Sequence, residues 1–233
     1  DDDDTADDDD TTPNPCFANR TRPATFDVVD AFGYGTVTTD STEPPIWCWY
    51  DETVADEVTP NLSSAGATVT HQDVDWDVVF YGEVMDTVQM DINGAVNFEH
   101  QSSRNPNNDC GWYSWDAPGV AAYWDDLNMT DEGAGTIRYG TYGDNPNKVA
   151  VVWFDELFHD DYPGDPISFQ VLIFEADHHI EVHYLDTTIG DNDVDDGRSA
   201  TVGLRHEQAT LWSCNDDELR DHFSIAYWPP EDM

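Results

Sequence analysis

The chain is expected to fold as an all-β protein, an antiparallel sandwich or jelly roll, and three observations point there. From Phe26 to the C-terminus no convincing helical period appears, and apolar residues recur in short runs or alternate with polar ones. Turn signals punctuate these runs at Glu132-Gly133, Gly143-Asp144-Asn145-Pro146, Pro163-Gly164-Asp165-Pro166, Ala176-Asp177 and across residues 191–197. One hairpin is written plainly: Val84, Val88, Met90 and Ile92 are expected to share a strand face interrupted by Asp86, Asn93-Gly94 to turn, and Ala95 to Phe98 to return.

Taken in order, residues 1–15 open with DDDDTADDDD, whose self-repulsion predicts a disordered, solvated acidic tail outside a single domain at 16–233. Acidic spacers of this kind resemble those following the lipidated cysteine of bacterial surface lipoproteins, which makes a lipid anchor before residue 1 an expectation. A loose Ca²⁺-binding tail is the competing reading. Strand-like residues broken by Gly33 and Gly35 follow from Phe26 to Thr39. In IWCWY, residues 46–50, alternation would set Trp47 and Trp49 opposite Cys48. Residues 51–66 show no period. After the hairpin, residues 101–118 read as a long loop carrying Cys110, Trp112 and Trp115, either a binding loop or pinned irregular structure. Strands are then predicted at Val120–Trp124, Thr136–Tyr142, Val149–Phe154, Ile167–Ala176, His179–Leu185, Ala200–Arg205 and His222–Trp228.

Composition narrows the function. Eight Lys plus Arg face 50 Asp plus Glu, a formal charge of -42, and Lys148 is the one lysine. Such a surface repels nucleic acid and anionic lipid and attracts cations. A saline habitat, dedicated Ca²⁺ sites or a charged coat would each produce it. Nine Trp in a chain of mean hydropathy -0.61 concentrate the apolar content in heavy side chains. No apolar run is long enough to cross a bilayer, and no signal peptide is seen, as in a mature exported form.

Cys16, Cys48, Cys110 and Cys214 form no Cys-x-x-Cys pair, which suits two disulfides in an exported protein better than a zinc or redox site. Three connectivities are open; the preferred one joins Cys48 to Cys110 and Cys16 to Cys214, tying the chain ends together.

Three acidic or histidine-bearing stretches are candidate metal sites. Asp125 and Asp126 end a strand, with Asp131 close by, so that their oxygens converge on Ca²⁺ or merely bond their own turn. Asp191, Asp193, Asp195 and Asp196 resemble half of a Ca²⁺ loop, although Asp196 stands at the glycine position and Val202 at that of the bidentate glutamate. His179, Glu181 and His183 fall on one strand face; the two histidines, about 13 Å apart at strand rise, cannot share an ion, and a polar sheet face is the plainer reading. Asn19, Asn61 and Asn128 begin glycosylation sequons. No serine-hydrolase elbow, phosphate loop, H-E-x-x-H or dinucleotide fingerprint occurs.

Several segments in consistent order resemble the nidogen-like and related β-sandwich modules of secreted and surface proteins: FYG at 80–82, the Asn93-Gly94 turn through Phe98, AAYWDDL at 121–127, VAVVWFD at 149–155, ISFQVLIFE at 167–175, IEVHYLD at 180–186 and ATVGL at 200–204. The resemblance implies an extracellular, non-catalytic adhesion or structural module attached to the cell surface, and it transfers no catalytic residue. Self-association into a Ca²⁺-stabilised homopolymeric assembly or filament is the leading expectation, with glycans or other surface proteins as further partners. The alternatives are a Ca²⁺-dependent lectin-like module stacking sugars on Trp112, Trp115 or Trp212 and, more remotely, a glycan-active enzyme.

Overall fold

The computed structural model describes residues 16, 20–51, 56–57, 69–99, 107–111, 117–129, 135–162, 164–206 and 209–231. These form two antiparallel sheets packed as a sandwich. The larger has the order β1 (Val28–Val29), β2 (Gly35–Thr38), β15 (Phe223–Trp228), β12 (Ile180–Asp186), β11 (Ile167–Phe174), β10 (Val149–His159), β9 (Thr136–Tyr142) and β3 (Asp56–Glu57), with β8 (Leu127–Asn128) on the far end of β10. The smaller runs β14 (Ala209–Cys214), β13 (Thr201–Arg205), β7 (Gly119–Trp124), β6 (Ala95–Asn97), β5 (Glu83–Asp91) and β4 (Val69–Phe80). The described residues contain no helix long and apolar enough to cross a membrane.

The predicted hairpin is β5 and β6. Asp91 pairs with Ala95, and the Gly94 N–H donates to the Asp91 carbonyl at 3.0 Å. Of the Asn93-Gly94 pair only Gly94 takes positive φ, 77°, and a Cβ there would lie 1.9 Å from the Tyr123 carbonyl oxygen, so both dihedral and space demand glycine. Val88, Met90 and Ile92 face the core as expected, but Val84 is exposed and Met85 takes its place. Between the Asp73–Thr87 and Val78–Met85 pairs β4 advances five residues against two on β5, an odd offset of three, so the core-facing positions of β5 change parity. The strands β4 and β14 were not anticipated, and IWCWY forms no strand, although Cys48 and Tyr50 are buried where Trp47 and Trp49 are half-exposed.

The inter-sheet core takes alternate residues of each strand: Phe169, Val171 and Ile173 of β11, Ile180, Val182 and Tyr184 of β12, Ile225 and Tyr227 of β15, against Val88, Val96, Val120 and Leu204 of the smaller sheet. A second apolar layer covers the other face of the larger sheet. There Val149, Val151, Leu172 and Phe174 pack under Cys16, Cys48 and Tyr50, and Val37, Ala226 and Trp228 pack under Phe26. With both faces covered, β11 is buried along all eight residues, which is why ISFQVLIF reads as a continuous run.

The segment at 20–50 therefore acts as a strap: it adds β1 and β2 to the edge of the larger sheet, and its two flanks lie over that sheet's outer face. Gln170 pins it: its amide donates to the Tyr50 carbonyl at 2.6 Å and accepts the Tyr50 N–H at 3.1 Å, imitating a strand pair. Asp30 ties the strap's first turn to the smaller sheet, accepting from the Phe32 and Tyr34 N–H groups at 2.8 Å, the Tyr81 hydroxyl at 2.7 Å and Thr210 at 2.6 Å.

The disulfides correct the expected pairing. Cys16 joins Cys48, and Cys110 joins Cys214, with no free cysteine among the described residues. Cys16 and Cys48 lie on the strap side of the larger sheet, whereas Cys214 ends β14 of the smaller one. Pairing Cys16 with Cys214, or Cys48 with Cys110, would have to cross the sandwich, far beyond the ~7 Å Cα reach of a disulfide.

Candidate functional site

The face predicted for His179, Glu181 and His183 exists, but beneath the strap, and all three are at most 1% exposed. Alternation on β12 turns Ile180, Val182 and Tyr184 into the core and these three toward residues 20–50. Arg20 comes from the strap and donates its Nε to both Glu181 oxygens, at 3.0 and 3.2 Å. His183 Nε2 stands 2.9 Å from the second oxygen and its Nδ1 2.7 Å from Ser224 Oγ. His179 Nε2 lies 3.4 Å from the first oxygen, and its Nδ1 meets Asp177. The His179 ring is held between Phe174 and Trp228, with centroids 3.9 and 4.0 Å away and planes nearly parallel. Both histidines thus converge on one carboxylate.

Burial alone would raise the Glu181 pKa, but His179 and His183 outweigh it and hold the carboxyl well below its ordinary value. Burial likewise works against the His179 cation, yet Asp177 and Glu181 prevail and its pKa is raised. Asp177, despite burial, is lowered by His179. The linkage has two signs. Raised His179 contributes stability that is complete below about pH 6.5 and lost as pH climbs through its folded value, while Glu181 and Asp177 contribute stability present above about pH 4.5 and lost below. Thermal melts are therefore expected to be highest between those limits and to fall on going to about pH 9, and His179→Gln should flatten the alkaline limb. An alkaline limb unchanged in that variant would refute this assignment.

The strap and sheet also enclose a cavity of about 430 Å³, whose lining includes Tyr50, Tyr142, Phe174, Asp144, Asn147 and Lys148, with Arg20, Asp177 and His179 in its wall. The Tyr50 and Tyr142 rings are 5.8 Å apart. Burial pushes the Tyr50 hydroxyl up to about 12, and it donates to the Cys16 carbonyl at 3.0 Å. No local pattern marks this cavity, because its residues come from four separate stretches, at 16–20, 50, 142–149 and 174–179.

The two acidic stretches meet at another cavity, of about 350 Å³, where Asp125 and Asp126 face Asp193 together with His159, Asp161 and Asn108. Asp125 accepts from Ser199 at 2.5 Å and lies 3.5 Å from His159 Nε2. Burial and the neighbouring Asp160 raise the Asp126 carboxyl. Within the loop at 191–197 the carboxylates of Asp191 and Asp195 serve the backbone, and that of Asp196 a side-chain hydroxyl. Asp195 Oδ1 accepts from the N–H groups of Ile189, Gly190 and Asp191 at 2.7–3.2 Å, Asp191 caps Asp193, and Asp196, at φ 57°, accepts from Thr187. No three His, Cys, Asp or Glu side chains among the described residues are grouped to hold a metal ion.

Of the remaining candidates, Asp131, Trp112, Trp115, Asn19 and Asn61 lie outside the described residues. Trp212 is partly buried and packs on the core, 5.5 Å from Phe223. Asn128 is buried and its amide donates to Asp160 at 2.7 Å, so its sequon is closed to a glycan in the folded chain.

No curated protein and no solved structure matches the chain. The NIDO-related family model matches residues 48–225, from Cys48 at the strap's end to Ile225 in β15. With well over half of its 233 residues matched, the chain belongs to the NIDO-related family.

Proposed function

We propose that this protein is an extracellular, non-catalytic adhesion or structural module whose copies associate through divalent cations. The family and the two disulfides fit an extracellular protein. The observation that supports association is the edge of the smaller sheet. Strand β4 runs for twelve residues with no outward strand partner among the described residues, and Asp73, Asp75 and Asp77 alternate along its exposed face with buried Val74, Trp76 and Val78. An open edge is a template for a strand of another chain.

A charge of -42 opposes contact between like molecules, so association requires cations. An ion held between two copies takes oxygens from both, which suits the six to eight that Ca²⁺ prefers. Light scattering and electron microscopy are expected to show ordered oligomers in millimolar Ca²⁺, with a higher melting temperature than in Mg²⁺ at matched ionic strength. A monodisperse monomer under every ionic condition would overturn the reading.

A further inference from the structure

The cavity between strap and sheet is not used by the association just proposed, and its lining has an electrical character unlike the rest of the chain. Whereas the sequence carries 50 acidic residues to 8 basic ones, this wall sets Asp144 and Asp177 against Arg20, Lys148 and His179. Most of these groups already have partners within the protein: Arg20 has Glu181, Lys148 has Asp75 and Asp177 has His179. An anionic ligand would meet the two aspartates, and a cationic one the guanidinium and ammonium. Either would have to displace an internal ion pair. An uncharged ligand rich in hydroxyls meets neither obstacle, because each hydroxyl can donate to a carboxylate or accept from an amide.

Apolar surface is the second requirement, and the cavity supplies it. Phe174 is covered on one face by the His179 ring, and Tyr50 is almost wholly buried, so the half-buried Tyr142 presents the accessible aromatic surface. Asp144 and Asn147 stand exposed on the turn that follows Tyr142, their side chains without a hydrogen bond among the described residues. The volume of about 430 Å³ falls in the range of small-ligand sites.

We infer that this cavity binds a neutral sugar, with the apolar face of a pyranose ring on Tyr142 and its hydroxyls on Asp144 and Asn147. The site depends on the strap, since Cys16 and Arg20 form part of its wall and precede the family's matched residues. The inference rests on the extracellular reading but not on association, and the two fail separately: sugar binding is scored on the monomer without divalent cations, association by particle size.

The test is an array of neutral hexose and N-acetylhexosamine oligosaccharides beside uronic-acid and sialic-acid ones, followed by calorimetry on the best binder. A neutral glycan is expected to bind, and Tyr142→Ala to weaken it about tenfold, the scale of one lost aromatic contact. Because Tyr142 also packs against the strap, Asp144→Ala serves as the second variant; its side chain is exposed, so folding is preserved while affinity drops. Leu211→Ala, exposed on β14 of the smaller sheet, should leave affinity unchanged. Preference for acidic glycans, absence of any neutral binder, or unchanged affinity in both cavity variants would overturn the assignment.

Discussion

Replacing Glu181 with alanine is expected to destabilise the protein by about 3–5 kcal/mol, the cost of removing one partner from a buried ionic cluster. Arg20, 4% exposed, would lose its counter-ion, and protonated His179 would keep only Asp177. Arg20 sits on the strap, so the loss should be local first. Limited proteolysis is expected to cut within 20–50 in the variant before global unfolding, while the wild type resists. Glu181→Gln keeps the shape and removes the charge, and it should be nearly as damaging. The pair Arg20→Leu with Glu181→Leu should cost less than the sum of its single variants, because apolar replacement of both partners leaves fewer stranded charges. Chemical denaturation measures all five variants. A loss below about 1 kcal/mol in Glu181→Ala would show that the cluster does not hold the strap.

This cluster marks how far the sequence can be read. Period-two alternation placed His179, Glu181 and His183 on one face, and the structure agrees. Their burial was not legible, because Arg20, the residue that neutralises Glu181, lies 161 positions away, ahead of β1, where no local pattern points to it. The hairpin of β5 and β6 was legible because alternation and turn chemistry coincide there. Strand β4 was missed for a different reason. DVDWDVVF alternates well, yet aspartate is poor in strands, and three of them on the exposed face hid a pattern that only burial of Val74, Trp76 and Val78 reveals. The meeting of Asp125, Asp126 and Asp193 follows from β7 and β13 pairing side by side, a register that no local pattern states.

Breaking the Cys110–Cys214 bridge is the other large effect expected. Its 104-residue span gives a chain-entropy contribution of about 4.7 kcal/mol, against about 3.7 kcal/mol for the 32-residue span of Cys16–Cys48. The bridge fastens the loop before β7 to the end of β14, and Asn108, near Cys110, adds bonds to the neighbouring start of β13, donating to Ser199 at 2.5 Å and to Thr201 at 3.0 Å. A Cys110→Ser, Cys214→Ser double variant should therefore lose stability globally, in one transition, because the tether spans strands of the central core. The Cys16→Ser, Cys48→Ser variant should differ in kind. The Arg20 and Gln170 contacts still hold the strap, so its first effect should be early proteolysis at 20–50 with the sandwich intact. Thermal melts and proteolysis of the two variants in parallel give the comparison. If removing Cys16–Cys48 lowers the global melting temperature more than removing Cys110–Cys214, the strap belongs to the folding core rather than lying over it.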